Sequence, residues 1–381
     1  MVVLFFKKLL RNYFFYFFFG LFLTPILFLT LPDSICQSKC KSIIFSSRKK
    51  TLTRLSKPKT KGNVVNDIKS FSWYKPELDN KIKTLKDLNF YRKNLINYVV
   101  DKTSYKVTKN KFWIDNEYKD FKNLSRIDKI NFIHKNGVDS YTYNFVPKKS
   151  NNKLIIFHQG HYGNFNLSKE TLNYFNKKGY NIIAYQMPLL GTNPGTLNAR
   201  NEIQKHHEVL IKFENSEKSF ISLFITPIVL GIDNLSKENK FESISMVGIS
   251  GGGWTTVLSS ATDKRINYSF PISGSLPLSL RSYDIGDIEQ YHLPFYKKYS
   301  YIDLYILGSA GLSRGQVQMT ISNDPCCFSG SRPELYSDYI NKISKEFNGV
   351  FLTNYLDGYE HKVYKSQYEF IHKTIDSWDN N

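Results

Sequence analysis

With 381 residues, 41% hydrophobic and 15% aromatic, the chain can hold one large α/β domain plus extensions, and its composition excludes a wholly disordered protein. Its net charge of +19 invites a nucleic-acid reading, but residues 1–62 carry twelve Lys/Arg against Asp33 alone, so +11 of the excess lies there and +8 is left for the remainder. A basic stripe on a folded nucleic-acid-binding face is therefore not expected, and no nucleic-acid partner is assigned.

In chain order, the first feature is residues 13–31, 19 residues without a charge that follow Lys7, Lys8 and Arg11. A helix needs about 20 apolar residues to cross a bilayer, whereas a signal-peptide core has about 7–15. Residues 1–35 are therefore expected to form a single-pass membrane anchor. The alternative is a cleaved signal or organelle leader, which would make the protein secreted or organelle-targeted. Lys39, Lys41, Arg48, Lys49 and Lys50 follow closely, so charge on both sides leaves the orientation open. Residues 36–63 read as a basic linker, able to rest on anionic lipid. Residues 64–125 read as a mainly helical extension, because Leu78, Ile82, Leu85, Leu88, Leu95 and Tyr98 recur at helical spacing between charges.

From residue 126 the texture changes. Two alternating runs, 127–134 and 138–146, meet at Asn136-Gly137, a hairpin signal. Apolar runs at 154–157, 181–185, 244–249, 269–272, 317–322 and 350–356 then read as buried strands. Helical lengths separate them, notably 167–178, 218–238, 252–262 and 333–347. Such alternation implies a mostly parallel sheet covered on both faces, so residues 126–381 are expected to form an α/β domain with eight strands.

Strand 243–249 runs into Gly248-Ile249-Ser250-Gly251-Gly252, which opens the next helix. A G-x-S-x-G turn between strand and helix is so tight that side chains flanking the serine would clash, and glycines remove them. Ser250 is thereby presented at the C-terminal edge of the sheet and at the positive end of a helix. It reads as a nucleophile, an inert tight turn being the alternative.

Hairpin, β/α alternation and Gly248-Ile249-Ser250-Gly251-Gly252 together resemble the α/β-hydrolase superfamily over residues 126–381. The resemblance implies a Ser–acid–His triad in that chain order and an oxyanion hole of two backbone N–H groups. One belongs to the residue after the nucleophile, Gly251. The other comes from the loop after the third strand, where Gln159-Gly160-His161 fills the slot and His161 is the expected donor, with Tyr162 second. Gln159 stands where the family commonly has His. The acid is expected after the next-to-last strand, at Asp324, whose neighbour Pro325 stops the strand. The histidine is expected after the last strand, at His361, in the role of general base.

Other residues are weighed against these. Asp287 and Glu289, in a Tyr-rich insertion over residues 275–311, are rival acids, and that insertion is either a lid or a helical decoration. His134, His206, His207, His292 and His372 read as ordinary surface or core histidines. His158 and His161 lie together, but no carboxylate or cysteine is near them in sequence, and Cys36, Cys40, Cys326 and Cys327 lack zinc-ligand spacing. No metal or organic cofactor is expected. The adjacent Cys326 and Cys327 read as structural. The functional expectation is a serine hydrolase acting on a carboxylic ester or related acyl bond, with a lipid among the candidate substrates. A peptidase or thioesterase with the same triad is one alternative, and a catalytically inactive hydrolase fold serving as a membrane-bound interaction protein is another.

Overall fold

Short β-branched and aromatic runs become the strands of one sheet in the computed structural model, which describes residues 68–112, 116–193, 203–281 and 286–380. The strands are β1 Tyr105–Phe112, β2 Leu124–His134, β3 Ser140–Pro147, β4 Lys153–His158, β5 Asn181–Tyr185, β6 Ser243–Ile249, β7 Tyr268–Ile272, β8 Arg314–Ile321 and β9 Gly349–Leu356. Their spatial order is β1-β2-β3-β5-β4-β6-β7-β8-β9. Pairing is antiparallel from β1 through β3 to β5 and parallel from β5 through β4 to β9.

Nine strands stand where eight were expected. The additional one is β1, which lies in the stretch assigned to a helical extension and pairs with β2 along its full length, Tyr105 opposite His134 and Phe112 opposite Ile127. Its sequence, YKVTKNKF, carries lysines and half-exposed positions because it is an edge strand, and lysine on an edge discourages pairing with another chain. The helical part of the extension is α1 Pro76–Asp79 and α2 Leu85–Val99. A Thr84–Asp87 capping box starts α2, and Leu88, Leu95 and Val99 bury one face of it. Arg92 on the same helix is buried and donates to the Leu307 carbonyl at 2.6 Å.

Helices cover both faces of the sheet. They are α3 Lys169–Lys177, α4 Ser222–Glu238, α5 Gly251–Thr262, the short α6 Ile288–Tyr291 and α7 Leu293–Tyr296, then α8 Tyr301–Ser309, α9 Glu334–Glu346 and α10 Lys365–Asp379. One core joins α2, α4, α5, α8 and α9, and a second joins α3 and α10 to the opposite face. α5 and α8 are buried at every position, so their sequences lack a polar face, and the one charged residue, Asp303 on α8, accepts from Lys81 N at 2.7 Å. α8 belongs to the insertion 275–311, so the end of that insertion is core, not surface decoration.

Register brings the strand ends level. His158 on β4 lies opposite Gly248 on β6, Ile249 opposite Ile272 on β7, and Ile321 on β8 opposite Leu356 on β9. The loops that follow these strands therefore leave the sheet at one edge. No helix among the described residues is long and apolar enough to cross a membrane. The apolar segment 13–31 and the basic linker 36–63 lie outside the described residues.

Candidate active site

The turn from β6 into α5 holds Ser250 at φ 58° and ψ −128°, a conformation that a non-glycine residue adopts only when its surroundings impose it. The neighbouring glycines show why. A Cβ on Gly248 would lie 2.1 Å from the Gly252 carbonyl oxygen, and one on Gly252 would lie 2.1 Å from the His158 carbonyl oxygen. Strand, turn and helix thus touch backbone to backbone. Ser250 N donates to the Ile272 carbonyl at 2.9 Å, and its own carbonyl accepts from Trp254 N at 3.0 Å, which ties the turn to β7 and starts the helix.

The loop after β4 lies directly on this serine. A Cβ on Gly160 would come within 2.5 Å of the Ser250 Cβ and 3.0 Å of its Oγ. Gln159 braces the loop: its amide donates to the Tyr162 carbonyl at 3.3 Å, and its oxygen accepts from Ser168 Oγ at 3.0 Å. His161 follows, and its ring occupies the space beside Gly251, where a Cβ would meet its Nδ1 at 2.5 Å and its Cε1 at 2.4 Å.

At the same edge, the loops after β8 and β9 bring a carboxylate and an imidazole together. His361 Nδ1 lies 2.8 Å from Asp324 Oδ2 and 3.0 Å from Oδ1. Asp324 Oδ1 also accepts from Cys326 N at 2.8 Å and Cys327 N at 3.3 Å, so the carboxylate is held in place by backbone donors. Those two cysteines are joined as a disulfide. The loops brace each other, with Asn323 N donating to the Gly358 carbonyl at 3.0 Å and Ser322 Oγ donating to Asp357 at 2.7 Å. The Tyr364 hydroxyl oxygen accepts from Glu360 N at 2.8 Å and Tyr359 N at 3.1 Å, which closes the His361 loop onto the start of α10. Because Nδ1 donates to Asp324, Nε2 carries the lone pair. Among the described residues no hydrogen bond joins Ser250 Oγ to His361. Such contacts commonly tighten only when substrate binds.

No protein-family model matches the sequence, and no curated protein matches it. Solved structures do. An acetyl xylan esterase from Paenibacillus sp. R4 is 11% identical, with a TM-score of 0.53 over 79% of this chain and 98% of that one. Methylesterase BT1017 is 16% identical, with a TM-score of 0.58 over 82% of this chain and 68% of that one. A glucuronoyl esterase from Solibacter usitatus is 10% identical, with a TM-score of 0.54 over 78% of this chain and 94% of that one. The fold is that of the α/β-hydrolases. In this α/β-hydrolase fold β1 precedes the hairpin, so the serine follows the sixth strand, Asp324 the eighth and His361 the ninth.

The rival acids go elsewhere. Glu289, on α6, is fully buried, and its Oε1 lies 2.7 Å from His161 Nε2. Asp287 Oδ2 lies 3.3 Å from His161 Nδ1. Neither is a hydrogen-bond partner of His361. Burial disfavours protonation of His161, but Glu289 and Asp287 outweigh it and hold the imidazole above its ordinary pKa. Burial also opposes ionisation of Glu289, but His207 and His161 outweigh it and hold the carboxyl well below the usual range. His207, read as an ordinary histidine, is the third member of this cluster, its Nδ1 3.0 Å from Glu289 Oε1. No local pattern signals the cluster, because 128 residues separate His161 from Glu289. His158, by contrast, faces inward from β4, and burial pushes it down to about 4.

Among the described residues, His161, His207 and Glu289 are one set able to hold a metal ion. The other, Cys326, Cys327 and His361, has its two sulfurs tied up in the disulfide and offers no thiolate.

Proposed function

We propose that the protein is a serine hydrolase that cleaves a carboxylic ester through an acyl-enzyme intermediate. The observation that carries this reading is the conjunction of Ser250 at a strained strand-to-helix turn, φ 58°, with the Asp324–His361 pair leaving the same sheet edge, 2.8 Å apart. In this reading His361 Nε2 takes the Ser250 proton as Oγ attacks the carbonyl, and Asp324 holds the imidazole in the required tautomer and stabilises its cation. The N–H groups of Gly251 and His161 receive the oxyanion. The proton then passes to the leaving alcohol, and a water activated by the same base releases the acid. An ester is favoured over an amide or thioester by the similar folds, whose names are acetyl xylan esterase, methylesterase and glucuronoyl esterase. The charge-free segment 13–31 supports attachment to a membrane as part of the same proposal.

Labelling by a fluorophosphonate probe, followed by release of p-nitrophenol from esters of graded acyl length, tests the assignment. The parent should label and turn over, and Ser250→Ala should do neither. Equal labelling of Ser250→Ala would sink the nucleophile, and a parent inert to probe and to every acyl length would favour a non-catalytic role.

A further inference from the structure

The triad uses neither His161's side chain nor His207 nor Glu289, yet these form a cluster, buried at His207 and Glu289 and partly buried at His161, that touches the residue after the nucleophile. The bonding around it is unusual in one respect. His207 Nε2 lies 3.0 Å from the Pro188 carbonyl oxygen, which can only accept, so that nitrogen carries the hydrogen. In a neutral ring Nδ1 is then the lone-pair nitrogen. It points at a carboxylate 3.0 Å away, off the line that a hydrogen bond requires, and has no hydrogen-bond partner. Glu289 Oε2 is likewise buried without a partner. Two acceptor atoms facing each other in the interior repel unless a proton or a metal cation lies between them.

His161 differs in one respect, because its inner nitrogen does have a hydrogen-bond partner in Glu289. Its Nδ1 lies against Asp287 Oδ2 at 3.3 Å, and its Nε2 points at Glu289 Oε1. Each imidazole therefore ties its outer nitrogen to an oxygen and turns its inner nitrogen towards one carboxylate. Ligand atoms of all three residues lie within 4.8 Å of one another. Metal-binding histidines are oriented in this way, with the distal N–H held by a carbonyl or carboxylate. Two imidazole nitrogens and a carboxylate suit a divalent transition ion. An all-oxygen shell would suit calcium or magnesium instead.

We propose that His161, His207 and Glu289 bind a divalent transition-metal ion of the zinc class, supported by Asp287 and the Pro188 carbonyl, beside the Ser250–Gly251 turn. The proposed site runs against the sequence expectation that no metal is held near His161, because its carboxylates come from an insertion far along the chain. An ion there places positive charge next to the acyl site, where it attracts an oxygen of the substrate. The inference does not depend on the serine-hydrolase reading, since binding is measured without turnover.

The test uses the full chain, stripped with a chelator and dialysed. Titration with Co2+ should give visible d–d bands of a low-coordinate site that saturate at one equivalent and are displaced by one equivalent of Zn2+. Competition against a chromophoric chelator should show Zn2+ binding weakened at least about 100-fold in Glu289→Gln and His207→Ala, and roughly 10–100-fold in Asp287→Asn, whose supporting carboxylate is partly exposed. Ser250→Ala should bind as the parent does. If the two ligand variants fail to fold by circular dichroism, Asp287→Asn with the Co2+ spectrum of the parent decides. A stripped parent that takes up no zinc at micromolar concentration overturns the proposal. So does binding that folded ligand variants or Asp287→Asn leave unchanged, and so does a Co2+ spectrum like that of the free aqueous ion.

Discussion

At the scale of single residues, the loops around His361 separate two kinds of contribution. Asp324 touches the imidazole directly, whereas Tyr364 acts at one remove, its hydroxyl oxygen accepting from the backbone N–H groups of Tyr359 and Glu360. Asp324→Asn keeps the volume but offers an amide where a carboxylate accepted the Nδ1 hydrogen, which favours the wrong tautomer. A fall in kcat of about 10³–10⁴-fold is expected, with little change in KM. Tyr364→Phe removes only an acceptor for two exposed N–H groups that water can serve instead. Its cost should be about 1 kcal/mol of loop order, read as roughly a fivefold loss of kcat with stability nearly unchanged. Steady-state kinetics on both variants, beside urea melts, check the ranking. Equal losses would mean that Asp324 does no more than brace a loop.

At the scale of elements, the packing of β6, α5 and β4 predicts opposite phenotypes for adjacent glycines. A methyl on Gly252 meets the His158 carbonyl at 2.1 Å, backbone that cannot swing aside without moving β4. A methyl on Gly251 meets only side-chain atoms, the end of Met187 and the His161 ring, which can shift at the expense of the His161–Glu289 contact. Gly252→Ala should therefore cost about 3 kcal/mol or more in a urea melt. Gly251→Ala should stay within about 1 kcal/mol of the parent and lose activity instead. The same elements show what the sequence made legible. Six strands were readable as continuous apolar runs, as in Ile244–Ile249 within β6, and the antiparallel β2 and β3 by their alternation around Asn136-Gly137. β1 was not, because an edge strand half in solvent needs no such run and its lysines imitate an exposed helix or loop. The Ser250 turn and the Asp324–His361 contact were legible because each of these residues follows a strand whose order in the chain is its signature. The partnership of His161, His207 and Glu289 was not, because nothing local in residues 288–291 announces that α6 folds back over the β4 loop.

At the scale of the whole molecule, burying the sheet between helices also buries titratable groups, and this couples global stability to pH. His158 is the clearest instance away from the surface. It lies on β4, 1% exposed, with its ring stacked on Tyr185 at 6.1 Å and its Nδ1 2.8 Å from the Gln159 carbonyl, so the fold holds a neutral ring with the hydrogen on Nδ1. Burial pushes its pKa down to about 4, against an ordinary value of about 6.5 in the unfolded chain. Between those values the unfolded chain binds a proton that the folded chain does not, so stability rises with pH across this window. The contribution is fully present above pH ~6.5 and is lost as pH falls towards 4, and integrated over the window it amounts to about 3 kcal/mol. His158→Asn keeps a donor for the carbonyl and removes the titration. The variant should be less stable than the parent at pH 7, because it loses ring packing, yet its stability should fall less steeply between pH ~6.5 and ~4.5, by up to about 1.4 kcal/mol per pH unit near the middle of the window. Urea midpoints measured at several pH values for both proteins give the two slopes. Parallel curves would mean that the imidazole is protonated as readily inside the fold as outside it, and that the acid sensitivity of this sheet has another origin.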